Sequence, residues 1–176
     1  MLVTRLETLD ELKVICVFHV LGLTMELFKT QMGSWVYPEE AFTKLGTVPL
    51  YSGFMYASVA SFMCQAWRRF DLRLERWPAA YSVILLGALI YLNFFTHHYL
   101  LDLRYFLIAS VFVLFFRTTI KFTTYNRERS IPLVLAFILI GLFVWFAENI
   151  GTFLGAWIYP NQTNGWQVVD ASKITA

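Results

Sequence analysis

The sequence predicts an all-α, polytopic helical membrane protein of about five transmembrane helices, with the N-terminus inside. Three observations carry this. The 176 residues are 58% hydrophobic and 18% aromatic but only 15% charged, too apolar for an average soluble domain. Three runs hold no charged residue: Val48 to Trp67 over 20 positions, Trp77 to Thr96 over 20, and Ile131 to Ala147 over 17. About 20 apolar residues in a helix cross a bilayer core, and helices satisfy their own backbone there. Finally, lysine and arginine are unevenly shared among the connections.

Spans are expected at about 12–30, 48–67, 77–96, 98–116 and 131–150, in one integral membrane domain covering residues 1–176. The first is interrupted by Lys13, His19 and Glu26, and Thr8 followed by Glu11 fits a capping box that opens it. The second and third are the uncharged runs. The fourth is interrupted by Asp102 and Arg104. Counting back about 20 residues from Arg117 starts it near His97 or His98, which puts Asp102 and Arg104 inside the helix. The fifth ends near Ile150, and the tail from 151 to 176 follows it outside. Met1 to Glu11, with three acids and no small-residue cleavage site, does not read as a signal peptide. Cys16 and Cys64 fall within spans and lack metal-type spacing.

Orientation follows from the positives. The second connection has Arg68, Arg69, Arg73 and Arg76, and the fourth has Arg117, Lys121, Arg127 and Arg129. The third has none. Cytoplasmic loops carry the excess, so the second and fourth connections lie inside with the head. Anionic lipid and topology account for these arginines, and no nucleic-acid partner is called for.

One phrase occurs twice. "ELFKTQMGSWVYP" (Glu26 to Pro38) and "ENIGTFLGAWIYP" (Glu148 to Pro160) share Glu, Thr, Gly, Trp, Tyr and Pro in one register, 122 residues apart. Interfacial aromatic belts and helix-ending glycines explain the residue types but not the register. We read a parallel internal repeat in which spans one and five correspond, each leaving the membrane on the outer face. The "HHYLLD" segment belongs to that same face.

Ionisable groups below the surface are costly and mark candidate sites. Glu26 has Lys29 three residues on as a local partner, whereas no cation follows Glu148 within a turn. His98 and Asp102 are four apart and share a face where the fourth helix has begun by His98; Asn93 and His97 are also four apart, at the end of span three. Asp102 and Arg104, two apart, would pair across helices rather than with each other. His19 reads as a packed, hydrogen-bonded residue. The candidate catalytic set is Glu148, Glu26, Asp102, His97 and His98. The candidate substrate-binding set is Trp35, Tyr37, Trp157, Tyr159, Asn93 and Arg104. Histidines with carboxylates suit acid–base chemistry or a divalent metal, with His97, His98 and Asp102 as candidate ligands. The spacing is not that of an H-E-x-x-H zinc hydrolase.

The phrases "VFHVLGLTMELFK", "GSWVYPEE", "VPLYSGFMYASVASFMCQAWRR", "YLNFFTHHYLLDLRYF" and "WFAENIGTFLGAWIYPNQTNGW" resemble one bacterial multi-pass membrane family, domain of unknown function 817. The resemblance runs from about Asp10 to the C-terminus. It implies an integral protein of the cytoplasmic membrane, and members longer than this chain at both ends. It implies no activity. Two classes of function fit the residues. One is a membrane-embedded enzyme acting on a lipid or isoprenoid-like substrate at the outer leaflet. The alternative is a small-solute transporter, or a structural or assembly protein. Polar groups gathered near one face favour the enzyme, since carriers keep midplane sites and broken helices.

Overall fold

The computed structural model describes residues 7–170; Arg5 and Lys173 lie outside them. Among the described residues are five α-helices: α1 (Leu9–Gln31), α2 (Tyr51–Arg69), α3 (Ala80–Thr96), α4 (Arg104–Phe115) and α5 (Leu133–Phe153). The chain divides into two compact units, Met1–Phe70 with Gly151–Gln167, and Asp71–Ile150 with Val168–Ala176.

In the first unit the expected capping box opens α1. Thr8 Oγ1 accepts from the Glu11 N–H at 3.2 Å, and Glu11 Oε2 accepts from the Thr8 N–H at 2.6 Å. Helices α1 and α2 pack antiparallel. Glu11 meets Arg68 at one end, and Glu26 meets Tyr56 at the other. Two glycines set how closely they approach. A Cβ on Gly22 would lie 2.2 Å from the Tyr56 ring, and one on Gly53 would lie 2.7 Å from the His19 ring. Each helix thus offers a ring to the other's glycine. His19 is packed as expected, its ring tilted against Phe54 at 4.7 Å, but its buried Nδ1 lacks the expected hydrogen-bond partner. A short hairpin, β1 (Lys44–Leu45) and β2 (Val48–Pro49), turns at Gly46 and buries Val48 completely before α2 begins.

The second unit departs from an all-helical expectation. The arginine-rich connections hold a three-stranded antiparallel sheet: β3 (Arg73–Glu75), β4 (Thr119–Thr124) and β5 (Arg127–Pro132). Thr, Ile and Phe give β4 its strand preference. Tyr125 and Asn126, both at positive φ, close a two-residue hairpin. The sheet meets a core of Leu86, Leu107, Phe115 and Leu133, against which Ile120 packs.

Helix lengths sharpen the span expectations. α5, with 21 residues and a mean hydropathy of 2.3, is the one helix among the described residues long and apolar enough to cross a membrane. α3 and α4 are apolar but short, at 17 and 12 residues. At 1.5 Å per residue α4 is about 18 Å long, so it does not fill the span expected at 98–116. α2 is long enough, but Ser52, Ser58, Ser61, Gln65 and two arginines lower its hydropathy.

Candidate functional site

Apart from Glu148, the candidate residues fall into two groups, one in each unit. In the first unit the helix stops of the two repeated phrases fold alike. Gly33, at φ +68°, donates to Thr30 O at 3.1 Å, and Ser34 donates to Lys29 O at 3.0 Å. Gly155, at φ +75°, donates to Thr152 O at 3.1 Å, and Ala156 donates to Gly151 O at 3.0 Å. Both are Schellman stops with glycine at the left-handed position, where a side chain would be strained. The phrases then meet. Val36 and Ile158, which hold the same place in each, exchange backbone hydrogen bonds of 3.0 and 2.9 Å as an antiparallel bridge. Trp35 sits edge-on to Tyr159 at 6.2 Å.

Glu26 anchors this arrangement. It is buried. Its Oε2 accepts from Trp35 Nε1 at 2.9 Å and from the Tyr37 hydroxyl at 2.7 Å, and its Oε1 accepts from the Tyr56 hydroxyl at 2.9 Å. The donors come from the phrase and from α2, so one carboxylate ties three pieces of chain together. Burial first, then the adjacent Glu26 carboxylate, push the Tyr37 hydroxyl well above its ordinary pKa, so Tyr37 remains a donor. Tyr56 escaped the sequence reading. Its signal was Gly22, one helical turn before Glu26, which leaves room for a ring reaching that carboxylate. In the second phrase Trp157 covers Gly151, where a Cβ would lie 2.3 Å from its ring, and Tyr159 is buried.

The second group lies at the α3–α4 connection. Here the sequence expectation is corrected: His98 and Asp102 do not share a helix face, because α3 ends at Thr96 and α4 begins at Arg104. Side chains take over the backbone groups at the break. Asn93 Oδ1 accepts from the Leu103 N–H at 2.9 Å, Asp102 Oδ1 accepts from the Arg104 N–H at 2.9 Å, and Asn93 Nδ2 donates to Asp102 at 3.1 Å. Asp102 and Arg104, freed from helical geometry, pair with each other at 3.4 Å rather than across helices. His97 stacks on His98 at 4.1 Å, and its Nδ1 lies 3.0 Å from Asn93 O. Burial acts to raise the Asp102 pKa. The Arg104 N–H, the Asn93 amide, and the charges of Arg104 and His97 outweigh it, so the carboxyl sits below its usual range. This group is open: His98 and Asp102 are exposed, and Asn93, His97 and Arg104 are half-buried.

Glu148 is half-buried on α5 in the second unit. One residue on, Asn149 accepts from the Val169 N–H at 3.0 Å, while Trp145 Nε1 donates to Val169 O at 2.9 Å. Among the described residues no three His, Cys, Asp or Glu side chains gather to hold a metal ion, so His97, His98 and Asp102 do not form the expected ligand set. The short connection turns these three side chains to hydrogen-bonding and stacking instead.

Within each unit, helices carry polar side chains collected at their ends, and the protein is of the mainly helical class. The chain belongs to the family described as Protein of unknown function (DUF817), whose model matches residues 1–176. It is 54% identical over 171 residues to "Uncharacterized protein YoaT" of Bacillus subtilis (strain 168). The match covers 97% of this chain and 65% of that relative, so the chain spans just under two thirds of the relative's length. No solved structure matches.

Proposed function

We propose that this chain is an integral, multi-pass protein of the bacterial cytoplasmic membrane that acts on a lipid or isoprenoid-like substrate at one membrane face. The observation that carries the membrane part is α5, where only 11% of an 18-residue apolar window is buried within the protein. Phe137, Ile140, Phe143, Phe146 and Ile150 stand exposed along it. Apolar area costs about 25 cal/mol per Å² in water, so such a helix calls for hydrocarbon around it. For the chemistry, the open group of His97, Asp102 and Arg104 suits a polar head. Arg104 would hold a phosphate or carboxylate, and His97 would exchange a proton. The closed Glu26 group acts as a brace. α1, α2 and α5 run unbroken, which favours this reading over a carrier with interrupted helices.

The test is extraction and labelling. The full chain should stay with membranes through alkaline carbonate. In a background lacking Cys16 and Cys64, Asn161→Cys should react with an impermeant maleimide on intact cells, and Thr124→Cys should not. Release by carbonate, or labelling at Thr124, would remove the reading.

A further inference from the structure

The β4–β5 hairpin has two unlike faces. Side chains alternate along a strand, and directly opposed residues share a face. One face carries Arg73, Glu75, Lys121 and Glu128. There Lys121 pairs with Glu75 at 2.8 Å and with Glu128 at 3.2 Å, and Arg73 pairs with Asp71. Its positive charges are all matched. The opposite face carries Leu74, Ile120 and Ile131, then Phe122 opposite Arg129, then Thr124 opposite Arg127. Ile120 packs on the helical core, so this face is turned toward the apolar helices.

At about 3.4 Å per residue, Phe122 and Arg129 lie about 7 Å beyond the point where the sheet meets the core, and Arg127 about 14 Å beyond it. Arg127 and Arg129 are exposed, and among the described residues neither is in an ion pair. The turn adds a second observation. Tyr125 takes a left-handed φ of +50°, a position that favours Asn or Gly, and is 95% exposed. A strained backbone therefore holds an aromatic ring out at the tip.

Two unpaired arginines and two aromatic rings, on or beside the face that meets apolar helices, fit the headgroup layer of an anionic bilayer. We infer that the β4–β5 hairpin lies on the membrane surface with its core-side face down, and that Arg127 and Arg129 bind the phosphates of anionic lipids. Arginine presents paired donors to a phosphate, and tyrosine favours the interface. This inference rests on the membrane reading above.

The experiment uses the full chain in nanodiscs of phosphatidylcholine, with and without phosphatidylglycerol, and counts retained phosphatidylglycerol by native mass spectrometry. Arg127→Gln with Arg129→Gln should weaken its retention about fivefold per arginine, roughly 25-fold for the pair. Arg73→Gln with Lys121→Gln, an equal loss of charge on the other face, should change it little. Equal losses from the two pairs, or no preference for phosphatidylglycerol in the wild type, would overturn the inference. Should the glutamine pair not fold, Arg127→Lys with Arg129→Lys decides. That variant should keep most of the preference, and losing all of it would sink the proposal. A chain that does not enter nanodiscs at all removes the membrane reading as well. One that enters both kinds without preference removes only the hairpin's role.

Discussion

Glu26 and Asp102 are both carboxylates near helix ends, and the protein treats them in opposite ways. Glu26 is closed off, with three aromatic donors from the phrase and from α2 filling its oxygens. Asp102 is open. It is held by the backbone of its own connection, by Asn93 and by Arg104. The difference shows that nearness to a helix end does not decide whether an acid is enclosed or left open. What decides is whether its donors leave a face for something else.

The sharpest way to break the comparison is Glu26→Ala. It removes the acceptor of the buried Tyr37 hydroxyl, at about 1–3 kcal/mol, and of the half-buried Trp35 N–H and Tyr56 hydroxyl, at less each. A loss of roughly 3 kcal/mol or more is expected by thermal unfolding in detergent. A loss near zero would mean that Glu26 is not the tie between phrase and α2.

Gly22→Ala probes the same tie from the backbone side. The new methyl meets the Cβ and Cγ of Tyr56, the fixed base of the ring, so the helices must separate. Overpacking of this kind costs about 1–3 kcal/mol. Tyr56→Ala in the same chain should relieve part of it. Strict additivity of the two changes would show that the contact is not the cause.

Asp102→Asn should cost least, about 1 kcal/mol or less, because its ion pair is partly open to solvent and its geometry is long at 3.4 Å. Its carboxyl lies below the ordinary range in the folded chain. Its stabilisation is therefore fully present above the unfolded carboxylate pKa and is lost as pH falls through the lower folded value. Wild-type stability should fall on that acid side more steeply than that of Asp102→Asn. Parallel acid profiles would show that Asp102 carries no such linkage.

Several features were legible in residues alone because their causes are local. A threonine three residues before a glutamate fixes the start of α1. Glycine after a helical run fixes both Schellman stops, and the shared register of the two phrases reflects the shared backbone around Gly33 and Gly155. Uncharged runs located α2, α3 and α5 to within a few residues. What sequence could not decide depends on partners distant in the chain. The break before α4 needs Asn93 to reach Leu103, and the sheet needs β3 to find β4 across α3 and α4. A Tyr–Asn turn among charged residues carries none of the glycine that announces a hairpin. Above all, the fate of Glu26 lies with Tyr56, 30 residues on, admitted to it only by the glycine one turn away. Local rules place an acid on a helix, but only packing chooses which donors reach it.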